Sequence, residues 1–162
     1  ERGAADLLVL NAGTFLLKAL VETAPPEFQE QVASNLTGPF LVLRAFLPPM
    51  RAKGRGLVVT VGSVADHRPL AGNAAYVAAK HGLRGLHGAL AQELRGTGVR
   101  ATLLSPGPVD TEMWDPVAPD HRPGFTPRAA TLRPEDIAEA VLFVATRPER
   151  VSIPELHIEP RP

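Results

Sequence analysis

The chain has 162 residues, 44% hydrophobic and 21% charged, enough apolar material for one globular domain with a sizeable core. Lys and Arg number 17 and Asp and Glu number 17, so charge offers no case for nucleic acid or an anionic membrane, and leaves small molecules or other protein chains as partners. With no cysteine there is neither disulfide nor thiolate chemistry, no stretch reaches the ~20 apolar residues of a membrane span, and the default location is cytoplasmic.

Asp6 to Leu10 is a short apolar run ending at Asn11-Ala12-Gly13, the pattern of a strand buried on both faces with a tight exit. Pro25-Pro26-Glu27 then opens a helix, because proline fits the first turn and an acid there complements the positive helix end. Phe28, Val32, Leu36, Phe40, Leu43 and Leu47 recur at spacings of three and four, predicting one long apolar face with Asn35 in its middle. Pro39 lacks an amide hydrogen, so a bend is expected there, with the Asn35 carbonyl turning to another donor such as an ordered water. Pro48 to Gly54 reads as a helix tail and turn.

Gly56 to Gly62 is the second apolar strand, and Ser63 stands at its carboxyl end, where α/β proteins form their ligand crevice. Asp66 and His67 follow too closely in sequence to make a hydrolase triad with Ser63, and Gly62-Ser63-Val64-Ala65 is no nucleophile elbow. From Ala74 to about Leu94 the chain is helical. Leu83, Leu86, Leu90 and Leu94 form a stripe, while Ala75, Ala78, Ala79, Gly82, Gly85 and Ala89 keep other surface small enough for a second backbone to approach. Tyr76 and Lys80, four apart, project from one face. A neighbouring ammonium favours the phenolate, so Lys80 is expected to lower the Tyr76 pKa and let it exchange protons with a substrate whose oxygen Ser63 holds. None of the five histidines has ligand-like partners at metal-binding spacing, so no metal site is expected.

Val99 to Ser105 is the third strand, and Pro106-Gly107-Pro108-Val109-Asp110-Thr111 leaves it through a rigid turn. Prolines crowd the stretch from Asp115 to Pro134, with Met113, Trp114 and Phe125 as its hydrophobes, which suggests a substrate lid over about 109–131. Arg133-Pro134-Glu135-Asp136 starts another helix, with Ile137, Ala140, Val141, Val144 and Ala145 inward. Glu155 to Glu159 alternates polar and apolar, the mark of a half-exposed edge strand. Strands separated by helical or long connections imply a parallel sheet with right-handed crossovers.

Gly62-Ser63 followed thirteen residues after the serine by Tyr76-Val77-Ala78-Ala79-Lys80 resembles the active-site segment of the short-chain dehydrogenases/reductases. Three further segments agree. Asn11-Ala12-Gly13 resembles the motif that braces the family's central sheet beside the cofactor, Asn35-Leu36-Thr37-Gly38-Pro39 the segment of its active-site asparagine, and Pro106 to Thr111 the turn whose backbone and threonine contact the nicotinamide amide. The resemblance implies a three-layer α/β, Rossmann-like parallel sheet with helices on both faces, residues 1–162 forming only the second half of the doubly wound sheet. It implies an oxidoreductase interconverting a secondary alcohol and a carbonyl with NAD or NADP. Asn35, Ser63, Tyr76 and Lys80 would be catalytic, and Asn11, Ala12, Gly13, Tyr76, Lys80, Pro106, Gly107, Val109 and Thr111 would bind the cofactor. Ser63, Met113 and Trp114 would meet the substrate, and the helix from Ala74 would pair chains into a homodimer or homotetramer.

The chain lacks a Gly-rich phosphate-binding turn, and the residue that chooses between NAD and NADP would lie in that same part, so cofactor preference is unreadable. Residues outside these 162 are the favoured explanation, and a truncated form with doubtful cofactor affinity the other. Two further classes stay open: a catalytically impaired relative acting as a regulatory or scaffolding protein, and a ligand-binding module built on the Trp114 region alone.

Overall fold

A computed structural model describes residues 3–161. Four parallel strands, β1 (Leu7–Leu10), β2 (Gly56–Val61), β3 (Val99–Pro106) and β4 (Glu155–Ile158), form one sheet in the order β1-β2-β3-β4. Each step is a crossover, since parallel neighbours cannot be joined by a hairpin. The β1 to β2 connection carries α1 (Pro25–Val32), a π-helical turn (Ala33–Thr37) and α2 (Gly38–Lys53); α3 (Ala74–Glu93) links β2 to β3, and α4 (Pro134–Ala145) precedes β4. The core clusters define the layers. Leu10, Val58 and Val99 pack with Leu43 and Met50 of α2 and Leu90 of α3 on one face, while Leu57, Val59 and Leu104 pack with Ala140 and Val144 of α4 on the other.

β2 and most of β3 are buried because both their faces are covered, with Thr102 and Ser105 among the buried residues, whereas β4 alternates exposed and half-buried residues as an edge strand does. β1 departs from the expected double burial. Leu10 is buried and Leu8 packs beside it, but Leu7 and Val9, pointing the other way, are 41% and 39% exposed.

The helix around Asn35 also differs from its predicted form. It does not break at Pro39. The chain instead widens to a π-helical turn one turn earlier, where Gly38 N–H donates to the Ala33 carbonyl, and π turns of this kind are frequent at functional sites. The buried positions are Gln31, Asn35, Pro39, Leu43 and Met50, so the inward stripe runs one residue behind the predicted one as far as Pro39 and rejoins it at Leu43, with Leu47 packed against the same core. Phe28 and Phe40, predicted inward, are 41% and 45% exposed. In α3 the predicted Leu83, Leu90 and Leu94 are buried. Its small surface is divided: a Cβ on Gly82 would lie 2.9 Å from Leu36, so that glycine serves packing within the chain, while Gly85 and Gly88 face open space.

His87 is buried between α3 and β2, with Nδ1 2.9 Å from the Thr60 hydroxyl and Nε2 without a partner among the described residues. Burial pushes its pKa down from 6.5 to about 4. Because the unfolded chain takes up this proton first, the stability from a neutral His87 is complete above pH 6.5 and is lost as pH falls through about 4. That loss amounts to roughly 3 kcal/mol. His87→Gln, which does not titrate, is expected to show a correspondingly smaller drop in urea-unfolding stability between pH 7 and pH 4; an equal drop in both proteins would remove His87 as the cause.

Candidate active site

The carboxyl ends of β1, β2 and β3 open into a cleft of about 1270 Å³, the position where open parallel sheets bind ligands. Asn11, Ala12 and Gly13 leave β1 at its floor, Ser63 leaves β2, and Pro106, Gly107, Val109 and Thr111 leave β3. Tyr76 and Lys80 enter from the first turns of α3, Asn35 from the π turn, and Met113 and Trp114 from the loop beyond β3. The structure therefore brings every site residue predicted from sequence to the wall of one cavity.

Glycine is required at two of these positions. A Cβ on Gly13 would lie 2.6 Å from Asn35 Oδ1, and one on Gly62 would lie 2.2 Å from Asp66 Oδ2. The Gly13 approach defines the Asn35 amide: Nδ2 donates to the Thr14 carbonyl at 3.0 Å and to the Gln31 carbonyl at 3.1 Å, while Oδ1 is buried without a partner among the described residues. The same Gly13 position lies 3.9 Å from Lys80 Nζ, so the amide oxygen and the lysine flank one spot on the floor.

Lys80 Nζ donates to the Val61 carbonyl at 3.1 Å and lies 5.7 Å from the centre of the Tyr76 ring. Burial lowers its pKa from 10.5 to about 8, with the Asp66 charge opposing. Tyr76 moves against expectation. Burial raises its phenol above 10.0, outweighing the downward pull of the Ser63 hydroxyl, and the Asp66 charge adds to the rise. The net direction is therefore upward, opposite to the one expected from Lys80, because burial penalises the phenolate.

Ser63 caps a short turn, its hydroxyl accepting from the Ala65 N–H at 3.1 Å. Its own N–H donates to Asp66 Oδ2 at 3.2 Å. Asp66, fully buried, also accepts from the Ser105 hydroxyl at 2.6 Å, and its other oxygen meets His67 Nδ1 at 2.7 Å and the Arg84 guanidinium at 3.3 Å. Burial pushes its carboxyl up, yet the bonds from Ser105, His67 and the Ser63 N–H, with the Arg84 charge, leave it below its ordinary 3.8. Arg84 continues to Glu155 on β4 at 2.6 Å. Asp66 and His67 are consequently a brace behind Ser63, with no bond between His67 and the serine hydroxyl.

Sequence reasoning missed Asp66 as that brace and missed Phe15. The signal for Phe15 was its place two residues beyond Gly13 at a strand's carboxyl end. Its ring lies 5.0 Å from that of Tyr76 and 5.1 Å from that of Trp114. The segment 109–131 is pinned at its base, Val109 bridging Leu132 and Asp110 N–H donating to the Leu132 carbonyl at 2.8 Å. Inside it Arg128 bonds Asp110, Asp115 and, through its backbone N–H, Asp120. Among the described residues no group of three or more acidic, His or Cys side chains is arranged to hold a metal, and no helix is long and apolar enough to cross a membrane.

A parallel sheet with a serine, tyrosine, lysine and asparagine gathered at its carboxyl edge defines an α/β protein of the dehydrogenase class. The chain belongs to the short chain dehydrogenase family, whose pattern matches residues 1–122. An oxidoreductase of Mycobacterium tuberculosis (strain H37Rv) is 41% identical over 135 residues, covering 79% of this chain and 52% of that protein. One from Staphylococcus aureus (strain MRSA252) is 29% identical over 158 residues, covering 98% of this chain and 65% of its own. Among solved structures, a metagenomic short-chain oxidoreductase in complex with NADP superposes with a TM-score of 0.79 at 35% identity, covering 98% of this chain and 62% of the other. This chain thus spans about half to two thirds of the length of the relatives it matches.

Proposed function

We propose that the protein carrying this chain is an NAD- or NADP-dependent oxidoreductase that interconverts a secondary alcohol and a carbonyl compound. The observation that carries this is the convergence of Ser63, Tyr76, Lys80 and the orphaned Asn35 oxygen on one cleft at the carboxyl ends of three strands. The family and the NADP held by the metagenomic relative support it.

The residues present fit the nicotinamide end of such a cofactor. Gly13 leaves the floor without a side chain beside Lys80 Nζ and Asn35 Oδ1, and Pro106 to Thr111 presents a turn at the end of β3. Asn11, Ala12, Gly13, Tyr76, Lys80, Pro106, Gly107, Val109 and Thr111 would hold it. The bound dinucleotide supplies or takes the hydride. Ser63 orients the substrate oxygen. Tyr76 gives its phenolic proton to that oxygen during reduction and takes it back during oxidation. Lys80 replenishes that proton along a path in which Asn35 Oδ1 accepts from a water. Residues 109–131 act as the lid, and the exposed apolar flank of α2, Phe40 and Phe46 included, supports association of copies into a dimer or tetramer.

The test is a fluorescence titration of the purified protein with NADH and NADPH, followed by a screen of carbonyl substrates for consumption of the reduced cofactor. Saturable binding of one cofactor with turnover is expected. Binding of neither, at an intact mass of 17.3 kDa, would instead favour a regulatory or scaffolding role.

A further inference from the structure

Three aromatic rings continue outward from the phenol of Tyr76. Phe15 meets it edge to face, 5.0 Å away at 75°. Trp114 lies 5.1 Å from Phe15 at 47°, and Phe125 lies 6.4 Å from Trp114 at 75°. All three are half-buried and border the cleft. They are drawn from segments far apart in the chain, Phe15 from the β1 exit and the other two from the loop beyond β3, so the wall exists only in the folded chain.

Charge narrows what the wall accepts. Among the described residues whose side chains border the cleft, only Lys80 and Glu112 are of a charged type. Lys80 is buried and bonded to the Val61 carbonyl, and Glu112 is an exposed anion. Arg122 lies outside the lining, its guanidinium 5.6 Å from the centre of the Phe125 ring. The cleft therefore presents no guanidinium fork to a carboxylate or phosphate, the group such ligands are ordinarily held by. A neutral flat ring, in contrast, extends the alternation of edges and faces that aromatic groups prefer.

We propose that this site takes a neutral carbonyl compound bearing a flat apolar ring, the ring seated against Phe15, Trp114 and Phe125 and the carbonyl oxygen directed to Tyr76. This rests on the oxidoreductase reading of the same cleft. Phe15 is then a specificity-determining residue, since its ring is the one beside the phenol.

Trp114 is the chain's single tryptophan, so its emission reports on the wall directly. The protein is titrated with acetophenone, with phenylglyoxylate as the charged counterpart, and with 3-methylbutan-2-one as the ketone without a ring. Saturable quenching by acetophenone is expected at least about tenfold tighter than by either of the others, with Phe15→Leu, which keeps apolar volume, weakening it about tenfold. Phe125→Ala does the same from the lid side. Equal affinity for phenylglyoxylate or 3-methylbutan-2-one, unchanged affinity in a Phe15→Leu protein of unchanged melting temperature, or no saturable quenching overturns the proposal. Turnover separates the two readings. Preferential acetophenone binding without consumption of NADH or NADPH leaves the ligand class standing and removes the oxidoreductase reading, whereas preferential reduction of phenylglyoxylate does the reverse.

Discussion

Replacing Tyr76 with phenylalanine is expected to lower kcat for carbonyl reduction by about 10³-fold while leaving the affinity for the reduced cofactor within about threefold. The substitution removes one hydroxyl and little else. The ring keeps its edge against Phe15 at 5.0 Å, and Lys80 keeps its bond to the Val61 carbonyl at 3.1 Å. Folding stability should change by no more than ~1 kcal/mol, the usual net worth of a single hydroxyl's hydrogen bond. The pH dependence has a sign. Burial holds the phenol above its ordinary 10.0, so the acid form that reduction needs persists through neutral pH, and the phenolate that oxidation needs grows only toward alkaline pH. Reduction should be flat from pH 6 to 8 and oxidation should climb, both measured with the same cofactor at saturation. A Tyr76→Phe protein keeping a tenth of its turnover, or an oxidation rate falling toward alkaline pH, would remove Tyr76 as the proton donor.

Elements with strong patterns were legible in the sequence. The apolar-rich run of β2 reflects a strand covered on both faces, and the alternation of Glu155 to Ile158 reflects an edge. Spacing reported Tyr76 and Lys80 correctly as neighbours because a helix fixes positions four apart. The apolar stripe of α1 and α2 misled over part of its length. The offset already stands at Gln31, before the π turn, and has gone by Leu43 and Leu47, so over Gln31, Asn35 and Pro39 the inward positions carry residues that an apolar pattern cannot report.

Electrostatic balance was not legible. The expectation that Lys80 lowers the Tyr76 pKa counted a charge and omitted burial, and burial heads the causes that move the phenol upward. Phe15 was missed because the rings it meets are remote in sequence, and the buried setting of Asp66 because Ser105 and Arg84, two of its four partners, are remote as well. Trp114 lies 99 residues beyond Phe15, and Ser105 lies 39 beyond Asp66. No local pattern encodes such a meeting. Asp66 was visible only as a neighbour of Ser63 and His67, which invites a triad, whereas the fold turns its carboxylate to the serine's N–H while the serine's hydroxyl accepts from the Ala65 N–H.

Asp66→Ala is the substitution expected to cost the fold most, about 3–5 kcal/mol, because it strips a buried carboxylate from several donors at once. Asp66 is fully buried, and the Ser105 hydroxyl at 2.6 Å, the Ser63 N–H at 3.2 Å and His67 at 2.7 Å all lose their acceptor. Arg84 retains Glu155 at 2.6 Å, so its charge stays paired. His67 is exposed and turns to water, so the groups left orphaned are Ser105 and the Ser63 N–H, and a double substitution separates their share. Ser105→Ala alone should cost ~1 kcal/mol, and adding it to Asp66→Ala should cost less than the sum, since a partner already lost cannot be lost twice. Acid behaviour provides an independent check. The Asp66 pKa is depressed below 3.8, so its stabilisation is present above that value and is lost only as pH falls through the lower folded one, a window beneath that of His87. The Asp66→Ala protein should thus lack that last, most acidic part of the wild-type stability loss. Urea unfolding across pH 2 to 7 measures both, and a loss under ~1 kcal/mol at pH 7 would mean that Ser63 is held by something other than this carboxylate.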